Sequence, residues 1–363
     1  MIVGQLVGIL GAGGAVGAEL AAVVSELGLP VRLGARSRDA LASAGQRCTG
    51  PAELVRLEAG DPEALTGFCS GCGVVVNCAV TDAALRAKVA ATALAGGAHY
   101  LDPGGDEAFR ARLACAAGLT ARAAVLAAGA QPGLTALVPR WLAAQDLEPP
   151  FSLTVYTVTM DWMTRGAAAE FLLSLGDGQP GALTPLPGLS LPFLSGELVG
   201  HPHLSGEAER LARCLSLTAI RCYHVFEVGG RLPAVLTRLQ QDVRQGADPD
   251  SLTAELIRAA EIEMFGRRPF QQLVFQLDGR VAGQPASRVA VLRAAGTYQL
   301  TASVAAAAVV ALLRGQIPAG CHFVADVLDP VVVGALPGRR GETSLHLSDR
   351  ALAGSAQFEQ GRL

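Results

Sequence analysis

Gly11-Ala12-Gly13-Gly14-Ala15-Val16-Gly17 is the stretch that decides the fold. It follows the apolar run Leu6-Val7-Gly8-Ile9-Leu10 and opens directly into an Ala-, Leu- and Val-rich stretch of helical character. Glycine admits positive φ and lets backbone approach a pyrophosphate. A helix that starts at once after such a turn offers N–H groups with no intrahelical partner and a partial positive charge. The spacing is GxGGxxG rather than the plain GxGxxG, with valine at position 16 and the helical glycine at Gly17. In strand–turn–helix context, Gly11, Gly13, Gly14, Ala15, Val16 and Gly17 form a candidate dinucleotide-binding turn, against the plainer reading of a tight structural turn.

Working outward, short apolar runs predict strands over 5–10, 31–35, 53–57, 74–80, 100–101 and 123–128, with helices over 16–27, 83–95, 107–117 and 134–144. Strands of this kind, unalternated and separated by helices, predict an α/β fold with a doubly wound parallel sheet of Rossmann type, covered on both faces. Glu148-Pro149-Pro150 is the expected domain boundary. Beyond it the period changes. Residues 153–159, 221–228, 273–278 and 288–294 alternate, which predicts half-exposed antiparallel strands, and helices over 233–244 and 251–264 complete an α+β domain. The stretch 176–205 reads as a long loop or lid, 302–314 as an apolar helix returning to the first domain, and the polar residues after 336 as a loose tail. The expected division is 1–150, 151–298, 299–335 and 336–363.

Composition bounds the function. With 363 residues, 50% of them hydrophobic and 17% charged, the chain can bury two cores and is not a disordered segment. A net charge of −3 leaves no electrostatic footprint for nucleic acid. The apolar run 304–313 falls short of the ~20 residues of a membrane span. No basic stretch precedes the first apolar run, so a cytoplasmic protein with reduced thiols is expected. Lys88 is the single lysine and lies mid-helix, which leaves little room for Schiff-base chemistry. Cys69-Ser70-Gly71-Cys72 lacks a second pair, and no metal site is expected there or at His201-Pro202-His203 and Cys222-Tyr223-His224.

The end of the second strand selects the cofactor. NAD-preferring sites place Asp or Glu there for the ribose 2′-hydroxyl, whereas this chain reads Gly34-Ala35-Arg36-Ser37-Arg38. Two guanidiniums and a hydroxyl suit a 2′-phosphate, so NADPH is the expected cofactor. Asp61 after the third strand is expected beside the adenine. Asn77, Cys78 and Ala79 are expected to line the cleft by the ribose, with Gln131 an amide near the nicotinamide.

The glycine turn, Gly34-Ala35-Arg36-Ser37, Val74-Val75-Val76-Asn77-Cys78, His99-Tyr100-Leu101-Asp102 and Gly129-Ala130-Gln131-Pro132-Gly133 follow one another in order. The series resembles the saccharopine dehydrogenase-like (saccharopine reductase) NAD(P)-binding family over roughly 5–145. A looser likeness covers 273–325, through Thr301, Leu312-Leu313-Arg314-Gly315 and Pro318-Ala319-Gly320. Residues 150–270 carry none of it. The resemblance implies a Rossmann domain, an inserted mixed-sheet substrate domain, and hydride transfer at C=N or C–N bonds, with C=C reduction in some relatives.

Imine reduction needs hydride at carbon and a proton at nitrogen, so Tyr100, Asp102 and His99 are the catalytic candidates at the expected hydride end, weighed against packing and capping roles. Asp161, Trp162 and His224 are the substrate-side candidates, with His224 on one face with Cys222 and Phe226. The leading expectation is an NADPH-dependent imine reductase acting on a small molecule. One concrete form is a thiazolinyl imine reductase of siderophore biosynthesis, working on a substrate tethered to a carrier protein, in a homodimer. The alternatives are a saccharopine- or opine-type dehydrogenase, an enoyl reductase, and a non-catalytic NADPH sensor.

Overall fold

The computed structural model describes residues 5–79, 82–114, 116, 118–176, 185–336 and 343–352. The chain divides into two compact units, 1–137 with 298–342 and 138–297 with 343–363.

In the first unit β1 (Leu6–Leu10), α1 (Ala15–Glu26), β2 (Val31–Ala35), α2 (Arg38–Gln46), β3 (Ala52–Arg56), α3 (Pro62–Cys69), β4 (Cys72–Asn77), α4 (Ala83–Ala95), β5 (His99–Leu101), α5 (Glu107–Leu113) and β6 (Ala123–Leu126) alternate along the chain. The helix α6 (Leu134–Ala143) follows and crosses into the second unit. Among the described residues seven strands pair in parallel in the order β13-β6-β5-β4-β1-β2-β3, with β13 (Gly320–Phe323) added from late in the sequence. The order reverses between β1 and β4. At such a switch point the two strands diverge and leave a crevice at their carboxyl ends, where ligands of doubly wound sheets bind. The continuous apolar runs of β1 and β4 are buried almost throughout, as a sheet covered on both faces requires.

Two helices of this unit, α2 and α3, were not anticipated. Both are short and weakly apolar, and their starts are set by the side-chain caps of Ser37 and Asp61. The helix expected over 107–117 stops at Leu113, and the strand expected over 74–80 runs instead over Cys72–Asn77. Val80, Cys115 and Ala117 lie outside the described residues. The apolar helix α11 (Thr297–Leu313) begins five residues earlier than expected, and from Tyr298 onward it belongs to this unit. Its residues are buried on all sides, which its Ala- and Val-rich composition permits. A short helix α12 (Val324–Val327) and a 3-10 turn (Pro330–Ala335) complete the unit.

The second unit is built on β7 (Glu148–Met160), α7 (Arg165–Gly176), β8 (Leu186–Leu189), β9 (Leu198–Pro202), α8 (Gly206–Cys214), β10 (Ala219–Glu227), α9 (Arg231–Arg244), α10 (Pro249–Met264), β11 (Phe270–Val281), β12 (Gln284–Ala294) and β14 (Thr343–Ser348). Its strands order β14-β12-β11-β7-β10-β9-β8. The sheet is mixed, as the family resemblance implies, with β10 parallel to β7 and the other pairings antiparallel, whereas alternation alone predicts antiparallel strands throughout. Its central strands are buried on both faces, at every position of 153–158 and 271–277, with the Leu189, Leu191 and Leu194 segment packed against one face, while α7, α9 and α10 pack on one another and on Phe226 of β10. Glu148-Pro149-Pro150 is the start of β7 rather than a linker.

The stretch expected as a loop contains β8 and β9, with 177–184 outside the described residues. The stretch expected as a tail contributes β14, which pairs antiparallel with β12. Residues 337–342 and 353–363 lie outside the described residues. Among the described residues no helix is long and apolar enough to cross a membrane.

Candidate functional site

The glycine turn sits at the switch point. Gly11 adopts φ +81°, and its N–H and that of Ala12 donate to the carbonyl of Gly34 at 2.8 and 3.1 Å, so the turn is anchored to the end of β2. A Cβ at Gly11 would lie 2.5 Å from the backbone nitrogen of Ala79, and one at Gly17 would lie 2.3 Å from the carbonyl oxygen of Gly11. Both glycines are therefore demanded by close backbone approach, Gly11 against the residues that follow β4 and Gly17, within α1, against the turn itself. Helices α2, α3, α4 and α5 are each capped by a side chain, Ser37, Asp61, Asp82 and Asp106, whereas Gly14 offers α1 none. Gly13 and Gly14 are exposed and Ala15 and Val16 partly so, which leaves the first N–H groups of α1 facing outward. Cys78 and Ala79, partly exposed, flank the same crevice, and the Cys78 N–H donates to the Leu10 carbonyl at 2.8 Å. Burial, and then the nearby Asp102, push the Cys78 thiol up, so it stays protonated.

Arg36 and Arg38 are exposed at the end of β2. Neither guanidinium has a hydrogen-bond or ion-pair partner among the described residues. Ser37 is exposed as well, and its hydroxyl oxygen caps α2 by accepting from the Ala40 N–H at 3.2 Å. Asp61, expected by the adenine, instead caps α3 by accepting from the N–H groups of Glu63 and Ala64.

The expected catalytic trio is placed differently from its prediction. Tyr100 is fully buried and donates to Asp102 Oδ2 at 2.7 Å. Asp102, 3% exposed, also receives Arg86 Nη2 at 2.9 Å and Nε at 3.2 Å, the Gly104 N–H at 3.0 Å and Asn77 Nδ2 at 3.5 Å. Asn77 Nδ2 further donates to the Tyr100 oxygen at 3.2 Å, so Asn77 is turned into this network rather than out to the ribose. Burial, and then the Asp102 carboxylate, hold the Tyr100 hydroxyl well above its ordinary range. With no exposure and its hydroxyl committed to a carboxylate, Tyr100 belongs to a buried network that ties β4, β5 and α4 together. His99 begins β5, at the end of the sheet away from the crevice, and its Nδ1 accepts from the Ala123 N–H at 3.0 Å. Burial, and then Arg122, lower its basicity. Alternation along β5 reveals none of this, and no motif in the sequence marks Arg86 as the network's counter-charge.

Gln131 is exposed on the loop after β6. That loop is held by the Ala128 N–H on the Asp102 carbonyl at 3.0 Å, the Leu134 N–H on the Gly129 carbonyl at 3.1 Å, and the Ala130 N–H on Thr301 Oγ1 at 3.3 Å. Gln131 therefore stands on a fixed support at the carboxyl end of β6.

In the second unit Asp161 accepts from the N–H groups of Trp162 at 2.8 Å and Thr297 at 2.7 Å, which fixes the start of α11. Trp162 is 49% exposed. His224 shares its face with Cys222 and Phe226, as alternation predicts, but it packs among rings, with His203 at 4.6 Å and Phe171 at 5.7 Å between centroids. Burial, then the neighbouring His203 and His201, push it down to about 3, so it stays neutral. Among the described residues no group of three or more His, Cys, Asp or Glu is arranged to hold a metal.

A parallel sheet in this strand order, with its glycine turn at the switch point, defines a dinucleotide-binding unit. Residues 7–137 match the family model described as the saccharopine dehydrogenase NADP binding domain. Over those residues the chain thus carries a domain of the saccharopine dehydrogenase NADP-binding kind. Its fold is similar to that of apo saccharopine dehydrogenase (L-Glu forming) from Saccharomyces cerevisiae, at a TM-score of 0.65 and 15% identity, covering 95% of this chain and 100% of that one. It is also similar to an engineered D-amino acid dehydrogenase bound to NADP+, at a TM-score of 0.52 and 16% identity, covering 90% and 94%. No curated protein sequence matches the chain.

Proposed function

We propose that this protein is an NADPH-dependent reductase that delivers hydride to a C=N bond of an amino-acid-derived metabolite. The observation that carries the reading is the pairing of an uncapped α1 N-terminus with unpartnered guanidiniums, Arg36 and Arg38, at the end of the adjacent strand. The first receives a pyrophosphate through backbone N–H groups, and the second a 2′-phosphate through charge-assisted hydrogen bonds. NADPH, when bound, supplies the hydride. Reduction takes that hydride at the imine carbon and one proton at nitrogen, giving the amine and NADP+. Gln131 is the exposed amide on a braced loop suited to orienting the nicotinamide. Tyr100, Asp102 and Asn77 hold the strand ends from within and leave proton delivery to other groups.

The C=N assignment draws support from the fold likeness to two amino-acid dehydrogenases. That likeness also favours the second reading, an opine- or saccharopine-type enzyme that joins an amino acid to a carbonyl compound. The concrete form of the first reading is a thiazolinyl imine reductase acting on a carrier-bound siderophore intermediate. NADPH oxidation, followed by absorbance against a cyclic thiazoline imine, an amino acid with an aldehyde, and an enoyl thioester, separates these. Turnover of the imine alone supports the first reading, and turnover of the pair moves the assignment to the second. Turnover of the enoyl thioester alone, or of none with NADPH still bound, rejects C=N reduction.

A further inference from the structure

Arg56 ends β3, and its register partner across the sheet is Ala35, the residue before Arg36. Its Nε donates to the Arg36 carbonyl at 3.1 Å, which lays the guanidinium over the end of β2. The side chain is exposed, and its two Nη groups have no protein partner among the described residues. Four other arginines of the unit are ion-paired, Arg32 with Glu53, Arg47 with Glu19, Arg86 with Asp102 and Arg110 with Glu107. Three exposed arginines, Arg36, Arg38 and Arg56, thus lie at or beside this strand end, none with a carboxylate partner among the described residues. Like charges held together at one strand end repel, and a dianionic phosphate relieves that repulsion while filling their donor forks.

The geometry points to Arg56 as a third 2′-phosphate ligand and a determinant of NADPH over NADH preference, one that also holds the Arg36 peptide in position. This rests on the proposed 2′-phosphate role of Arg36 and Arg38. Arg56 has two tasks at once. Nε fixes the backbone that carries Arg36, and the Nη edge is left to bind the ligand. Lysine cannot do both, since its single ammonium replaces the planar fork.

The test uses the full chain and titrates 2′,5′-ADP against 5′-AMP, probes that differ only in the 2′-phosphate, with NADPH and NADH alongside. Arg56→Gln is expected to weaken 2′,5′-ADP and NADPH about tenfold, the effect of one hydrogen bond to a charged group, and to change 5′-AMP and NADH less than twofold. Arg56→Lys is expected to fall between, which keeps the inference testable if the glutamine variant folds poorly. Equal losses for both probes, or no loss in either variant, overturn the assignment of Arg56. If Arg36→Ala with Arg38→Ala abolishes the preference while both Arg56 variants keep it, the inference fails and the reading beneath it stands. A wild-type chain that binds 2′,5′-ADP no better than 5′-AMP overturns both.

Discussion

Replacing Tyr100 by phenylalanine removes one buried oxygen and tests whether the Tyr100–Asp102 pair is a brace or a proton donor. The phenol is fully buried, donates to Asp102 at 2.7 Å and accepts from Asn77 at 3.2 Å. Asp102 keeps Arg86 and the Gly104 N–H after the change, so its charge stays compensated and the loss is that of one charge-assisted hydrogen bond, about 1.5–3 kcal/mol. For a unit of this size that lowers the unfolding midpoint by roughly 4–10 °C. Because the hydroxyl lies beneath the strand ends rather than at the crevice, NADPH affinity and turnover of whichever test substrate the wild type reduces should change less than about threefold. Thermal unfolding by circular dichroism, NADPH titration and steady-state kinetics on the same preparation give the three readouts. Turnover reduced a hundredfold with an unchanged unfolding midpoint would falsify the brace and return Tyr100 to the chemistry.

Asp102→Asn is expected to be worse than Tyr100→Phe. It leaves the partly buried Arg86 without its counter-charge at a cost of about 3–5 kcal/mol, read as the shift in urea midpoint; a loss no larger than that of Tyr100→Phe contradicts the ion pair's role. Gly17→Ala puts a Cβ 2.3 Å from the Gly11 carbonyl oxygen, so α1 must shift away from the turn and NADPH affinity should drop at least tenfold, with tight binding in that variant counting against the turn as the pyrophosphate site. The double substitution Arg36→Ala with Arg38→Ala should weaken NADPH about a hundredfold and NADH little, by titration of each; equal losses reject the cofactor assignment. His224, held neutral down to about 3, takes up a proton in the unfolded chain near 6.5 but not in the folded one. Stability is therefore complete above pH 6.5 and lost as pH falls below it, by at most about 1.4 kcal/mol per pH unit. Urea midpoints at pH 7.5 and 5.5 should differ less in His224→Gln, and an unaltered difference places the pH dependence elsewhere.

Much of the first unit was legible because local and global demands agree there. The run 31–35 and the helix over Ala83–Ala95 emerge with their expected bounds, since apolar strands bounded by turns and long Ala-rich helices carry their own signal. The glycine turn was legible for a stronger reason, in that Gly11 and Gly17 sit where any side chain would strike backbone. The second unit was read less well. Its strands 153–158 and 271–277 alternate in polarity yet are buried on both faces, and Gln271, Gln272 and Gln276 lie in the core, where polarity says surface. The direction of β10, the pairing of β14 and the strands inside 176–205 depend on partners far away in the chain.

By itself, then, the sequence determined the class of fold and the kind of cofactor, because a glycine turn between strand and helix and an arginine-bearing strand end act through groups that are neighbours in the chain. Only the tertiary structure decided which polar residues are free to meet a ligand. Tyr100, Asp102 and Asn77 are polar residues at strand ends in the sequence, yet parallel packing brings Arg86 from α4 against them and closes them into a brace. Arg56 is one exposed arginine among many in the sequence, and it joins Arg36 and Arg38 only because β3 pairs with β2 in the register that sets it beside Ala35. Chemistry is written residue by residue, but whether a donor is already satisfied depends on sheet register and on the elements packed across it.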